Sequence, residues 1–409
     1  MSDADATILP PATDRVAADP AAGISATVAT PGTDVALAAS PAAAVTPAAV
    51  ASNDAPAAVP STAAATGDRR APVAAPAWPA PDPADRADVA VKSLYRALLD
   101  TLLAHEPGVR EDLDPEHLHD FRVAVRRTRS GLGQLKGVLP AAAAEPYRGE
   151  LGWLGSVTGP KRDLDVLRLA LPGLRERLPP AVRGDLDPLD AFLADHQAVE
   201  QARLVAALDG ERYRALVDGW RGVLDDPAPA ADDTPDAARP VGVVADERIW
   251  KAYRRVRKGG RAIGPASPPE ALHALRIACK KLRYLVELFR PLYPARELRS
   301  VVGDLKRLQD NLGAFNDTAV QQAALAAYAE RMQAEGRAPA ATLMAMGRLA
   351  CLLDADQAAE RRRFARRFAR FDRPADRARM RRLFKPTVAR HRPHDDTQAP
   401  PPDGMPVDI

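Results

Sequence analysis

The chain has 409 residues, 39 of them proline, with 5% aromatic and 27% charged side chains and a net charge of +3. Two cysteines, Cys279 and Cys351, are too few for a disulfide framework or a cysteine zinc site, and no run of strongly apolar residues is long enough to span a membrane. The charge is unevenly spread: residues 1–85 carry 3 Arg and 9 Asp, whereas 356–392 carry 14 basic and 4 acidic residues, a basic body that suits a polyanionic partner.

Residues 1–85 are rich in Ala and Pro and nearly lack aromatic and long aliphatic side chains. Such a segment cannot bury enough apolar surface to offset its ordering entropy, so it is expected to be a disordered acidic tail. Its start, Met1-Ser2-Asp3-Ala4-Asp5, lacks the basic region of a signal peptide. Both cysteines fall among apolar helical positions and read as core residues of a cytoplasmic protein.

From residue 86 onward helical periodicity takes over, and scarce β-branched and aromatic residues argue against strands. Helices are expected near 86–105, 115–139, 145–157, 163–177, 186–208 and 211–224. A Pro/Asp/Ala linker follows over 225–241, then helices near 243–262, 269–290, 295–313, 317–335, 339–371 and 374–385. The fold class is therefore all-α, with one helical half over 86–224, a second over 242–392, and a disordered C-terminal tail over 393–409.

The two halves repeat at an offset of 154 residues: Leu118-His119 recurs as Leu272-His273, Arg122 as Arg276, Arg126 as Lys280, Arg127 as Lys281 and Arg129 as Arg283. Pro140 recurs as Pro294, Leu151 as Leu305 and Asp163 as Asp317. A long repeat occurring twice implies two similar helical bundles related by a pseudo-twofold. On a helix, steps of three and four residues share a face. His119, Arg122, Arg126 and Arg129 form one such strip, and His273, Arg276, Lys280 and Arg283 the other. Each lies beside an apolar seam: Leu118, Phe121, Val125 and Leu132 in the first, Leu272, Leu275, Cys279 and Leu282 in the second.

A single cationic strip is usually a solvated helix face. Two of them in one register, with no acidic residue inside either, point to a ligand. Successive cations are about 4.5–6 Å apart, so each meets about every second charge of a linear phosphate polymer. Arg supplies paired donors for phosphate and Lys a mobile charge. Nucleic acid is a weaker candidate, because no aromatic, Asn or Gln reader stands among the cations. A phosphotransfer bundle using His119 and His273 is a further alternative, against which each histidine heads a row of three more cations. No GxxxxGK[ST] loop occurs for a nucleotide, and nothing requires a cofactor or metal. His117 and His119 face apart, and His105, His196, His391 and His394 suggest no cluster.

The run Leu118-His119-Asp-Phe-Arg122-Val-Ala-Val-Arg126-Arg127-Thr-Arg129 resembles the signature helix of CHAD domains, and Leu272-His273-Ala-Leu-Arg276-Ile-Ala-Cys-Lys280-Lys281-Leu-Arg283 is more similar still. Arg162-Asp163-Leu-Asp165 and Leu312-Gly-Ala-Phe-Asn316-Asp317 fit the same pattern. The resemblance implies two four-helix-bundle halves around a basic pore, inorganic polyphosphate as ligand, and association with polyphosphate granules. It implies that the eight strip residues line the pore, with Arg127, Lys281, Lys161, Arg162, Lys306 and Arg307 as further contributors. The family's frequent companion, a triphosphate tunnel enzyme with an ExExK strand, has no counterpart here. A stand-alone, non-enzymatic binding protein is the expectation.

Overall fold

The computed structural model of the chain describes residues 78–226 and 234–385, and over these it consists of α-helices, short 3-10 turns and no strand. The described residues fall within one compact unit, Val50–Ile409. The expected N-terminal tail as far as residue 77, residues 227–233 of the linker, and everything from 386 onward lie outside them.

In chain order the helices are α1 (Ala87–Arg110), α2 (Pro115–Gln134), α3 (Ala141–Val157), α4 (Gly159–Glu176), α5 (Asp187–Asp209) and α6 (Glu211–Asp225). After the linker come α7 (Val241–Ala262), α8 (Pro269–Leu288), α9 (Ala295–Ala334), α10 (Ala340–Phe371) and α11 (Pro374–Phe384). None of the described helices is long and apolar enough to cross a membrane.

The starts of α2 and α8 follow local chemistry. Asp114 caps α2 by accepting a hydrogen bond from the Glu116 amide at 2.8 Å, and Pro115 and Pro269 occupy first-turn positions whose amides need no partner. α3 begins at Ala141, a turn before the expected start near 145, and carries Pro146 inside it. The alanine run is a strong helix former, and a proline there removes only one early hydrogen bond.

The largest departure from the sequence expectation is α9. The expected break between 313 and 317 does not occur, and one 40-residue helix runs through. Gly313 costs a helix only about 1 kcal/mol, and α9 packs along α10 over much of its length. Asn316 and Asp317 cap nothing; their side chains are taken up by α8 (His273 and Arg276).

Two apolar cores hold the helices. The larger joins α1, α2, α3, α6, α7 and α8 with the N-terminal half of α9, the C-terminal ends of α5 and α10, and α11. Leu118, Phe121, Val125 and Leu132 of α2 and Leu272, Leu275, Cys279 and Leu282 of α8 all point into it. The smaller joins α4 and the start of α5 with the far ends of the α9–α10 hairpin, through Leu167, Leu171, Phe192, Met332 and Leu349. Burying each such side chain contributes about 1.5–3 kcal/mol.

Cys279 is buried as expected, but Cys351 is exposed. Thr342, Ala345, Met346, Leu349 and Leu353 define the inner face of α10, and a residue two places after Leu349 lies on its opposite side. Phe364, Phe368 and Phe371 of α10 are buried.

Candidate functional site

The two strips begin with matching pairs. His119 Nδ1 lies 3.1 Å from Arg162 Nη2 of α4, and His273 Nδ1 lies 2.7 Å from Asn316 Oδ1 of α9. Arg162 and Asn316 are themselves 154 residues apart, so the repeat extends to the partners of the histidines. The chemistry differs. Arg can only donate, so His119 accepts at Nδ1, whereas His273 donates its Nδ1 proton to the amide oxygen.

Both second-position arginines are buried. Arg122, 9% exposed, donates to the Gly155 carbonyl at 2.7 Å and to the Thr158 hydroxyl at the α3–α4 junction. Arg276, 2% exposed, donates to Asp317 at 3.1 Å. They fasten α2 to α3–α4 and α8 to α9, beneath the accessible part of each strip. Arg126 and Lys280 are half-buried, Arg283 is half-buried, and Arg129 and Lys281 are exposed or nearly so. Arg129 lies over Gly152, at ordinary contact distance from where a side-chain carbon would stand.

α2 and α8 meet through their C-terminal halves. Arg127 donates to Glu287 at 2.9 Å, and Arg283 reaches the same carboxylate at 2.5 Å. Gln134 donates to the Lys281 carbonyl at 3.2 Å. Residue numbers rise along one helix as they fall along the other, so the accessible cations gather near the crossing and the histidines stand at the outer ends. Burial would lower the pKa of Arg283, but the charge and hydrogen bond of Glu287 hold it raised. Burial depresses that of Arg162, with Glu116 and Asp165 opposing and Arg126 adding to the effect.

The remaining expected contributors divide. Lys306 is exposed and pairs with Asp310 at 2.9 Å, a carboxylate whose charge also acts on Arg283. Arg307 turns to Asp304 on its own helix. Lys161 is 1% exposed and is held between Asp112 at 2.8 Å and Asp165 at 2.6 Å, away from solvent.

Sequence reasoning passed over Glu287 as a bridge between the repeats. Its counterpart by the 154-residue offset is Gly133, so no repeat signal marked it. It also missed a histidine pair: His105 Nδ1 of α1 lies 3.3 Å from His117 Nδ1 of α2, and Asp120 stands 3.7 Å from His105 Nε2. Gly108 makes the space, since a side-chain carbon there would fall 2.3 Å from the His117 ring. Among the described residues no group of three or more metal-ligating side chains converges.

A family model for the CHAD domain matches residues 93–326, from α1 into α9. The chain belongs to the CHAD domain family. This CHAD domain is similar to the crystal structure of the CHAD domain from the plant Ricinus communis, at 24% identity and a TM-score of 0.58, over 76% of this chain and 96% of that one. It is similar to PptA from Streptomyces chartreusis at 19% identity and a TM-score of 0.53, over 69% and 99% of the two chains. At these identities the likeness concerns the fold. Uncharacterized proteins from two strains of Mycobacterium tuberculosis are 29% identical over 244 residues, 59% of this chain. The chain spans 45% of the length of these relatives.

Proposed function

We propose that this CHAD domain binds inorganic polyphosphate through the paired faces of α2 and α8, as a binding protein and not an enzyme, at cytoplasmic polyphosphate granules. The observation that carries the reading is the meeting of two like cationic strips, one from each repeat, with Arg126, Arg129, Lys280, Lys281 and Arg283 gathered near the helix crossing. Membership of a family whose general property is polyphosphate binding supports it.

Residues 86–224 and 242–392 are read as two four-helix halves related by a pseudo-twofold, joined over 225–241, with the strips lining a basic pore between them. The matched pairs His119–Arg162 and His273–Asn316 support that relation. Each strip runs about 15 Å from its histidine to its last cation, so a chain following both would span about ten phosphates. Arg126, Arg129, Lys280 and Lys281 then donate directly, with Arg283, which the chain would share with Glu287, and Lys306 beside them. His119 and His273 contact the chain at the two ends. Arg122, Arg276, Arg162 and Lys161 hold the strips in place from beneath, and Arg127 does so through Glu287.

The test is fluorescence anisotropy of labelled long-chain polyphosphate with the full-length protein, with orthophosphate and duplex DNA as competitors. Arg126→Ala/Arg129→Ala/Lys280→Ala/Arg283→Ala should weaken binding by at least about tenfold, since each charge-assisted contact contributes about 1.5–3 kcal/mol. DNA at equal phosphate concentration should displace polyphosphate poorly. A variant that binds like wild type would return the strips to ordinary solvated faces. Stable phosphate transfer to His119 or His273 would favour phosphotransfer instead.

A further inference from the structure

The C-terminal half of α10 carries a second set of cations. Phe364, Phe368 and Phe371 are its buried side. From Arg362 to Arg370 the exposed positions hold only Arg and Ala. Arg362, Arg366 and Arg370 recur every four residues, so they form a row with steps of about 6 Å.

α7 lies against this part of α10. At Gly260 an added side-chain carbon would fall 1.9 Å from the Phe368 ring. Tyr253 meets Phe371 edge-on at 5.9 Å between ring centres. Asp372, at the end of α10, accepts from Arg257 and Arg261 of α7, each at 2.7 Å. With its aromatic side turned inward, α7 exposes Lys251, Arg254 and Arg255 on the side opposite Tyr253, Val256 and Gly260. Both helices thus turn a cation row away from their aromatic sides.

Most arginines of this protein that face a carboxylate are paired with it, as Arg257 and Arg261 are. Among the described residues Lys251, Arg254, Arg255, Arg362, Arg366 and Arg370 have no such partner. Unrelieved like charges on one face cost stability, a cost that a bound polyanion removes. Exposed Asn, Gln or aromatic side chains, which nucleic-acid surfaces use to read or stack bases, do not interrupt the α10 row.

We propose that the exposed arginine row of α10, Arg362, Arg366 and Arg370, forms a second polyphosphate-binding surface, made of other residues than the α2–α8 strips, so that one molecule engages two chain segments. The inference rests on polyphosphate being the ligand of the strips. Two surfaces let one protein join two chains, and each long chain carries many proteins, so a network forms. The protein then condenses polyphosphate and does not merely coat it.

The test compares wild-type full-length protein with R362A/R366A/R370A, with R126A/R129A/K280A/R283A, and with both sets combined, after matching circular-dichroism melts. Binding of labelled long-chain polyphosphate and light scattering near charge equivalence are measured. The strip variant should keep a salt-sensitive residual site, which the combined variant loses. R362A/R366A/R370A should still bind yet lose the scattering, and the charge-conserving R362K/R366K/R370K should retain it. Scattering by R362A/R366A/R370A equal to wild type, or loss of all binding in the strip variant alone, would overturn the second surface. Displacement of the residual site by duplex DNA at equal phosphate concentration would overturn polyphosphate as its occupant. A wild-type protein that binds no polyphosphate would instead remove the ligand assignment of the strips.

Discussion

Lys161 is an ammonium almost wholly removed from water, with Asp112 and Asp165 as its partners. Asp112 takes a left-handed backbone, φ 49°, to reach it, and Gln197 also donates to Asp165. Removing one member of a buried ion pair leaves the other uncompensated, so Lys161→Met should cost about 3–5 kcal/mol in a denaturant titration. A surface contact to ligand would cost little stability. His105 poses a different constraint. Burial lowers its pKa, Asp120 opposes this, and His117 adds to the lowering. The folded protein therefore binds this proton less readily than the unfolded chain. The resulting stability is present above the ordinary value of 6.5 and is lost as pH falls below it. His105→Gln should flatten the melting temperature between pH 7 and pH 5. The strip histidines are held differently. His119 accepts from Arg162 at Nδ1, while His273 donates at Nδ1 to Asn316.

At the scale of elements, helix faces were legible and helix neighbours were not. The three-and-four spacing of Leu118, Phe121, Val125 and Leu132 marked the buried face of α2, and all four are buried. Cys351 was misplaced because apolar neighbours on both sides gave no phase; only the packed face of α10 settled it. α9 was divided at a glycine that, within a helix packed along α10, costs too little to end it. The contact of α7 with α10 depends on a residue with no side chain. Gly260→Val should destabilise the fold by about 1–3 kcal/mol or more through overpacking against Phe368, lowering the thermal midpoint. Gly149→Ala, where nothing lies within 4 Å of the added carbon, should leave the midpoint unchanged or slightly raised.

For the whole molecule, the binding reading has a quantitative consequence. Neutralising phosphates releases counterions, so affinity should fall linearly with salt on logarithmic axes. Each alanine at Arg126, Arg129, Lys280 or Arg283 should reduce that slope by about 0.7–0.9. Alanine at Lys161, whose charge is spent inside the fold, should leave the slope unchanged in the folded fraction. Titration of polyphosphate binding between low and moderate salt distinguishes these cases.

The sequence by itself determined the helical class, the 154-residue repeat, the apolar seams and the cationic strips beside them, because helical period and side-chain chemistry are local properties. It also carried the family resemblance, through motifs contained within single helices. Which cations remain accessible was decided by tertiary structure. Arg126 and Arg122 are equivalent in spacing and charge, yet Arg122 is buried against Gly155 and Thr158 of the α3–α4 junction while Arg126 is half-buried. The Glu287 bridge and the His105–His117 pair likewise join residues far apart in sequence or on separate helices. Whether a charge faces a ligand or a carboxylate depends on which other helix lies above it, and no local pattern records that.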